Sequence, residues 1–178
     1  MKLGIISDTH DQLESLAKAI EIFKKEKVEM IVHCGDWVSP FTIEFFDKYC
    51  QKVGLKVPVR SLIGNNKGDL ERLFERNGKL LNPIQFSSKA TMELNIQGKK
   101  IVAYHGDDKN ILLSLITSKL YDVVLTGHTH HPRNEMIGKT LIINPGTTCF
   151  AAKSQIIPEA SITIYESEKQ KLKFIAFT

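Results

Sequence analysis

The sequence has few cysteines, a single tryptophan, no long apolar run and no cluster of basic residues, and each absence excludes a class of protein. Cys34, Cys50 and Cys149 are odd in number, far apart and never spaced as C-x-x-C, which argues against a disulfide framework and a thiolate zinc site. A reducing cytoplasm is the location that this pattern predicts. No apolar run approaches membrane-spanning length, and no charged leader precedes the first strand, so neither export nor membrane insertion is expected.

The charge balance is mild. The formal charge of +4 comes from 24 basic and 20 acidic residues, and these residues are scattered along the chain. They permit an anionic substrate but give no strong signature of nucleic-acid binding. With 178 residues, of which 42% are apolar, the chain is long enough to bury a core and too short for two ordinary domains. We therefore predict a single domain over residues 1–178.

The first part of the chain alternates buried strands with amphipathic helices. The predicted strands are Leu3–Ser7, Met30–Cys34 and Val57–Ile63. Three helices are predicted. The first begins just after Asp11, the second runs from Ser39-Pro40 to about Tyr49, and the third covers Asp69–Arg76. Asp11 and Glu14 have the spacing of a capping box for the first helix. This alternation is typical of α/β proteins with a parallel sheet.

The second part of the chain is rich in strands. They are predicted over Thr91–Ile96, Ile101–Tyr104, Val123–Thr126, Arg133–Ile137, Leu141–Ile143, Ile162–Tyr165 and Leu172–Phe177. One helix, at about Asn110–Lys119, interrupts them. Turns such as Gln97-Gly98-Lys99 and Gly138-Lys139 favour a second sheet built largely from hairpins. Together, the patterns of the two parts of the chain predict two packed sheets covered by helices.

Polar residues of metal-ligand type occur where five of the apolar strands stop. They are Asp8-Thr9-His10, Gly35-Asp36, Gly64-Asn65-Asn66, His105-Gly106 and Gly127-His128-Thr129-His130. Ligands of open α/β sheets bind beyond the carboxyl ends of the strands, so we expect these side chains to converge. The members of Asp8/His10 and of His128/His130 are two residues apart, and an extended backbone would aim both members of a pair to one side. Each pair would then clamp one ion.

The chemistry of this set indicates a pair of metal ions. Carboxylate, amide and imidazole ligands without thiolate suit Mn²⁺, Fe, Ni²⁺ or Zn²⁺. Seven ligands exceed the needs of one ion. Two ions that share a carboxylate would polarise a phosphoryl group and lower the pKa of a bridging water, which is the design of a hydrolase.

The five motifs, D-x-H, G-D, G-N, H-G and G-H-x-H in this order over about residues 1–150, resemble the calcineurin-like metallophosphoesterase superfamily. HCGD, NPGT and the short chain are similar to its small branch, the YfcE/MJ0936-like phosphodiesterases. The resemblance implies an α/β fold, a four-layer α/β/β/α sandwich with two mixed β-sheets and a bimetal site at the sheet edge. Relatives form dimers or tetramers, so it also implies a homo-oligomer as one option.

Carried over by position, the resemblance implies two ligand sets. Asp8, His10, Asp36 and His130 would bind one ion, and Asp36, Asn65, His105 and His128 the other. Asp36 would be the bridging ligand that positions a hydroxide for in-line attack on phosphorus. Manganese is the metal that we expect first, with Ni, Fe or Zn as alternatives. The implied activity is a phosphodiesterase that acts on a small phosphodiester or a nucleotide.

The third motif departs from the pattern of the superfamily. Many members carry G-N-H-E or G-N-H-D, whereas this chain reads Gly64-Asn65-Asn66-Lys67. Asn66 cannot act as the acid that the histidine supplies, so activated aryl diesters should be the easiest substrates. Asn66 and Lys67 are candidate contacts to the substrate phosphate. The Thr148-Cys149-Phe150 segment that follows the N-P-G-T turn receives no catalytic role.

Two further histidines lie beside the motifs. His33 is inside an apolar strand, where a hydrogen-bonded core residue is expected rather than a ligand. His131 adjoins the last motif and is expected at the surface.

Two other functions are compatible with the same motifs. The retromer subunit Vps29 has this fold but lacks an effective active site, so a protein-binding scaffold is one alternative. A nuclease or nucleotide phosphohydrolase is another, and it would be expected to carry a basic track with stacking aromatics, which the sequence does not reveal.

Overall fold

The computed structural model describes residues 1–149 and 159–178, which form four helices and eleven strands. The helices are α1 (Leu13–Glu26), α2 (Pro40–Val53), α3 (Leu70–Asn77) and α4 (Lys109–Thr117). The first sheet contains β1 (Lys2–Ile6), β2 (Met30–His33), β3 (Val59–Ser61), β4 (Gln85–Phe86), β10 (Ala160–Glu166) and β11 (Lys171–Phe177). The second sheet contains β5 (Thr91–Ile96), β6 (Lys99–Tyr104), β7 (Val123–Leu125), β8 (Arg133–Ile137) and β9 (Thr140–Asn144).

The first sheet has the order β11-β10-β1-β2-β3-β4. Its strands β1 to β4 run parallel, as the alternation of strands and helices predicts. β10 and β11 add to it as an antiparallel hairpin. Leu3, Ile5 and Ile6 of β1 are fully buried, because both faces of this central strand are covered.

The predicted capping box at α1 is wrong. α1 follows Gln12, and no side chain caps it. Asp11 has a left-handed backbone, with φ of 59°, and its carboxylate is bonded elsewhere. It accepts hydrogen bonds from the Ser39 amide and the Thr42 hydroxyl at the start of α2. Asp11 therefore ties the loop after β1 to the next helix.

Helix α2 begins where the sequence predicts and ends later. The Ser39 hydroxyl accepts from the Phe41 amide, and Pro40 occupies the first helical position. The helix continues past Tyr49 to Val53, where Gly54 adopts a left-handed conformation. The sequence analysis missed β4, which has only two residues.

The second sheet is built from hairpins only at its edges. Its order is β5-β6-β7-β9-β8, and the predicted turns join β5 to β6 and β8 to β9. The central pairs β6–β7 and β7–β9 are parallel, because α4 forms a crossover between β6 and β7. The final hairpin joins the first sheet. The prediction of a largely hairpin-built second sheet is therefore wrong for the centre and for β10 and β11.

Three apolar clusters separate four layers. The first lies between helices α1 to α3 and the first sheet, and it includes Phe23, Trp37 and Phe46. The second fills the space between the sheets, and the third lies under α4 around Ile116. The predicted four-layer α/β/β/α sandwich is confirmed. A single domain over residues 1–178 stays a prediction.

Candidate metal centre

Five loops meet at one edge of the sandwich, where the parallel strands end. Main-chain hydrogen bonds join these loops directly. The Asp8 amide donates to the Gly35 carbonyl, and the Asp36 amide donates to the Ile63 carbonyl, each over 2.9 Å. The Gly127 amide likewise donates to the His105 carbonyl over 2.9 Å. The loops therefore form one rigid surface on which their side chains have fixed positions.

The carboxylate of Asp8 lies at the centre of two groups of ligand atoms. One group combines Asp8, His10 and His130, and the other combines Asp8, Asp36 and His105, with the ligand atoms of each group within 4.8 Å of one another. The Nε2 atoms of His10 and His130 lie 3.8 and 3.3 Å from Asp8 Oδ1. These distances leave room for an ion that several side chains contact together.

Asp36 lies between the two groups. Its Oδ2 atom is 3.4 Å from His10 Nε2 and 3.5 Å from His105 Nε2. Asp36 is 1% exposed, so its carboxylate faces the cluster rather than bulk water. Asp8 is the residue common to both groups, and the bridging role of Asp36 stays a prediction.

Asn65 and His128 complete the cluster on the side of His105. Asn65 Oδ1 lies 2.8 Å from His105 Nε2 and 2.9 Å from His128 Nδ1. The structure thus brings together all seven residues that the sequence singled out. It separates His128 from His130, however, since His130 lies beside Asp8 and His10. This geometry does not support the expectation that His128 and His130 clamp one ion as a pair. The two ligand sets that the resemblance implies stay a prediction.

The backbone at these residues is left-handed, not extended. The φ angles are 54° at Asp8, 41° at His10, 66° at Asp36, 65° at His128 and 60° at His130. Residues other than glycine rarely adopt this conformation, and it costs about 1–3 kcal/mol at each position. The convergence of the side chains was predicted correctly, but the reason given for it, an extended backbone, was wrong.

Close packing of the loops excludes side chains at two glycines. Gly64 has φ of 90°, and a Cβ atom there would collide with the carboxylate and amide of Asp36. A Cβ atom at Gly127 would collide with the Ser7 hydroxyl and with Asp8 Oδ2. Both glycines are therefore required for the carboxylates to reach their positions.

Both central carboxylates are ionised. Burial alone would raise the pKa of Asp8, but interactions with His10, His130 and Ser7 hold that pKa well below its ordinary value. Burial would likewise raise the pKa of Asp36, but His105 and the two donors of Asn66 lower it to about 2. Two buried carboxylates in one cluster repel each other and attract cations.

His33 is a positioning residue that the sequence analysis did not include in the site. Its Nδ1 accepts from the Gly35 amide over 3.1 Å, so the ring proton is on Nε2, which donates to the Thr9 hydroxyl over 2.8 Å. Burial lowers its pKa to about 3, so the ring is neutral. His33 stacks on Trp37 with ring centroids 3.8 Å apart. It thereby links the loop of Asp8 and His10 to the loop of Asp36. The sequence signal was its place two residues before Gly35.

The two candidate substrate contacts have different environments. Asn66 donates its amide to Asp36 Oδ1 over 2.8 Å and its side chain to Asp36 Oδ2 over 2.6 Å. It therefore holds the carboxylate of Asp36 in this structure. Lys67 is exposed and lies in the wall of a hollow of about 240 Å³ that also contacts His105. His131 is exposed, as expected.

The segment after the N-P-G-T turn is described only in part. The Cys149 amide donates to the Asp8 carbonyl over 3.2 Å, and the Thr147 hydroxyl donates to the same carbonyl over 2.7 Å. This turn therefore supports the first loop from behind. Phe150 lies outside the described residues.

The sequence pattern of the "Calcineurin-like phosphoesterase superfamily domain" matches residues 1–169. The chain belongs to this family, which agrees with the two carboxylates and four imidazoles at the sheet edge. It is 37% identical to "Phosphodiesterase MJ0936" of Methanocaldococcus jannaschii over 175 residues, 98% of each chain. It is 27% identical to "Probable metallophosphoesterase MJ0623" of the same organism over 155 residues, which cover 83% of this chain and 68% of that protein.

Solved structures agree in fold. An archaeal phosphodiesterase structure aligns with a TM-score of 0.85 and 36% identity over 99% of this chain and 100% of that chain. YfcE, a phosphoesterase from E. coli, aligns with a TM-score of 0.64 and 18% identity over 100% of both chains. Zinc-complexed Vps29 from Entamoeba histolytica aligns with a TM-score of 0.61 and 16% identity over 100% of both chains, which shows a likeness of fold alone. In the described part of this chain, the helices are too short or too polar to cross a membrane.

Proposed function

We propose that this protein is a phosphodiesterase that hydrolyses phosphodiesters with the help of two divalent metal ions. Asp8, His10, Asp36 and His130 would hold one ion, and Asp36, Asn65, His105 and His128 the other. The full-length likeness to a phosphodiesterase at 37% identity supports the reaction. The grouping of ligand atoms around Asp8 and Asp36 supports the metal sites.

The observation that carries the proposal is a pair of polar atoms without partners at the centre of the cluster. Asp8 Oδ1 and His10 Nε2 are shielded from solvent and make no hydrogen bond with any described residue. Buried polar atoms in proteins nearly always have a partner. A cation would satisfy the carboxylate oxygen and the imidazole nitrogen together. A hydrogen-bonding ligand would satisfy this pair of atoms less well than a cation. The residues present therefore fit the metal ions that the family implies.

The chain itself contributes orientation and charge. When bound, a pair of divalent cations supplies Lewis acidity and lowers the pKa of a coordinated water. Asp36 Oδ2 lies 3.4 Å from His10 Nε2 and 3.5 Å from His105 Nε2, which supports a shared role for this carboxylate. The two donors of Asn66 fix the plane of the carboxylate. His105 Nδ1 lies 2.8 Å from the Cys34 carbonyl, which directs Nε2 into the cluster.

The identity of the metal and the setting of the protein belong to the same proposal. Carboxylate, amide and imidazole ligands favour Mn²⁺, with Ni²⁺, Fe and Zn²⁺ as alternatives. A reducing cytoplasm is supported by three free cysteines, of which Cys34 and Cys50 are buried. The homo-oligomer implied by the resemblance stays a prediction, which light scattering of the purified protein tests.

The direct test is release of nitrophenol from bis(p-nitrophenyl) phosphate in the presence of Mn²⁺. We expect activity that EDTA removes and that Asp36→Ala or His128→Ala lowers by at least about 100-fold, because each variant removes a ligand. His131→Ala is the matched control, since His131 is exposed and lies outside both ligand groups. The proposal would be contradicted if the wild type kept its turnover in EDTA and Asp36→Ala turned over as fast as the wild type.

The choice of leaving group provides a second prediction. Asn66 offers only amide donors, and both are engaged with Asp36, so no imidazole at this position protonates the leaving group. We expect the enzyme to hydrolyse an aryl diester faster than an alkyl monoester, because nitrophenolate leaves without protonation. Turnover of bis(p-nitrophenyl) phosphate and glycerol phosphate under the same conditions is the comparison. The reverse order would reject the hypothesis.

The two alternative functions are separated by the same assays. A Vps29-like scaffold would release no nitrophenol at saturating Mn²⁺, whereas a phosphodiesterase would. A nuclease would share the catalytic residues and differ in the surface that receives the substrate. Hydrolysis of cyclic nucleotides, nucleotide diesters and oligonucleotides by the manganese-loaded protein discriminates between these substrate classes.

A further inference from the structure

A groove leads away from the proposed metal centre along the loop between β4 and β5. A hollow of about 240 Å³ has Lys67 and His105 in its wall, and a second hollow of about 390 Å³ has Arg60 in its wall. Ser87, Ser88 and Lys89 line both hollows, so the two lie side by side along this loop. We call this surface, from Lys67 through Ser87–Lys89 to Arg60, the β4–β5 groove.

Arg60 enters the groove from the gap between the two sheets. Its neighbours on β3 face the helices: Val59 belongs to the core under the helices, and the Ser61 hydroxyl accepts from Trp37 Nε1 over 2.8 Å. Side chains alternate along a strand, so Arg60 points to the opposite face, toward the second sheet. β4 and β5 are the edge strands of their sheets, which leaves this side of the sandwich open to ligands.

The guanidinium of Arg60 has no anionic partner among the described residues. Its Nε atom is shielded from solvent and makes no hydrogen bond, and Arg60 takes part in no ion pair of the described chain. Two acids also line the groove. Glu93 accepts from the Tyr121 hydroxyl over 2.6 Å, and Asp107 is exposed.

A partly buried guanidinium without an acceptor is unfavourable unless a ligand supplies one. Arginine presents a planar fork of donors that matches the oxygens of a phosphate. Lys67 and Lys89 are exposed along the path from His105 to Arg60. The groove therefore carries three cations in a line that starts at the proposed metal centre.

We propose that the β4–β5 groove binds further phosphates of a polyanionic phosphodiester, such as a short oligonucleotide, whose scissile diester lies at the metal centre. This inference rests on the proposed function and specifies its substrate class. Arg60 precedes Asn65 by five residues, so their Cα atoms are at most about 17 Å apart along an extended strand. A short oligonucleotide is long enough to span that distance. The basic track that the sequence did not reveal is formed by residues from three separate segments.

The first experiment measures phosphate binding to the groove in the absence of catalysis. The metal-free, ¹⁵N-labelled protein is titrated with inorganic phosphate, and the Arg60 Nε–H signal and the amides of residues 87–89 are followed by NMR. We expect saturable shifts that Arg60→Gln removes from residues 87–89. Arg72→Gln, which replaces an exposed arginine outside the groove, is the matched control and should keep them. Absence of the shifts in the wild type, or their persistence in Arg60→Gln, would overturn the proposal.

The second experiment uses the manganese-loaded enzyme and two nitrophenyl esters. One is the 5′-p-nitrophenyl phosphate of thymidine, and the other is the same ester of a thymidine trinucleotide, which carries further phosphates. We expect the wild type to show a KM about tenfold lower for the longer ester, which corresponds to about 1.4 kcal/mol. Arg60→Gln should raise the KM of the longer ester toward that of the short ester, and Arg60→Lys should restore part of the difference.

The two experiments distinguish the possible failures. If the wild type hydrolyses neither ester, the proposed function is wrong, and the phosphate titration still decides whether the groove binds anions. If the wild type hydrolyses both esters with equal KM, or if Arg60→Gln changes KM equally for both, the groove does not select the substrate, and the inference is overturned.

Discussion

Strained residues at the proposed metal centre are held in place by a neutral histidine. Asp8, His10 and Asp36 all have left-handed backbones, which persist only where the surrounding structure fixes them. The Thr9 and His10 amides both donate to the Asp36 carbonyl, over 2.9 and 3.1 Å. The bond between His33 and Thr9 is the side-chain link between the same two loops. The strain is thus balanced by contacts that also set the positions of the carboxylates.

This link gives a prediction for metal affinity. Thr9→Val keeps the shape of the side chain but removes the hydroxyl that accepts from His33, so we expect Mn²⁺ binding to weaken by about 10-fold or more. Thr9→Ser keeps the hydroxyl and is the matched control, with an affinity close to that of the wild type. Isothermal titration calorimetry of the metal-free proteins measures both. Equal affinities of Thr9→Val and wild type would show that the link does not position the ligands.

The sequence predicted which side chains converge better than it predicted their conformations. The seven candidate ligands follow apolar strands that end in Asp, Asn or His, and parallel strands place their carboxyl ends at one edge. The left-handed backbone of His128 could not be read from the pattern, since its amide donates to the Asp8 carboxylate, 120 positions away. The role of His33 was missed because it depends on Thr9, a residue 24 positions away.

Among the helices, α2 depends on a residue from outside its own sequence. Its start is capped locally by Ser39, but the Ser39 amide and the Thr42 hydroxyl donate to Asp11, which follows β1. The sequence spacing had assigned Asp11 to α1 with Glu14. Local spacing cannot distinguish these choices, because they differ only in which helix lies nearer in three dimensions.

The two interpretations of Asp11 predict opposite mutant results. Asp11→Ala removes the acceptor of two hydrogen bonds at the start of α2, so we expect a loss of about 1–2 kcal/mol in the free energy of unfolding. Glu14→Ala should change it by less than about 0.5 kcal/mol, since Glu14 is exposed and no longer needed as a capping partner. Urea unfolding of the two variants tests this. Equal losses of unfolding free energy in the two variants would support the capping box instead.

The strands show which parts of the topology are local. The hairpins β5–β6 and β8–β9 follow from their turns, and Gln97 and Gly98 both have positive φ, 51° and 80°, as two-residue hairpin turns require. Whether the last hairpin joins the first or the second sheet is decided by contacts with β1, such as the pairing of Leu3 with Tyr165. No turn residue near β10 encodes that choice, so the sequence could not predict it.

For the protein as a whole, the four layers place helices on both outer faces. The proposed metal-binding side chains lie at the edge of the sheets, which the helices do not cover. Leu3, Ile5 and Val32, from the strands that precede the first two ligand loops, are fully buried between the sheets. Close packing of this layer makes the loop positions rigid. The contacts that lower the pKa of Asp8 and of Asp36 stabilise the ionised carboxylates within this frame.

The proposed metal centre exists only in the folded protein, which predicts that Mn²⁺ stabilises the entire fold. A ligand that binds only the folded state at a free concentration 100 times its Kd stabilises by about 2.7 kcal/mol. For a chain of this size, that corresponds to a rise in Tm of about 5–11 °C. We expect this shift when Mn²⁺ is added to EDTA-treated wild type in a thermal melt, and its reversal by EDTA. Asp36→Asn removes the charge of one proposed ligand, so we expect its Mn²⁺-induced shift to be below about 2 °C. A full shift in Asp36→Asn would mean that manganese stabilises the protein from another site.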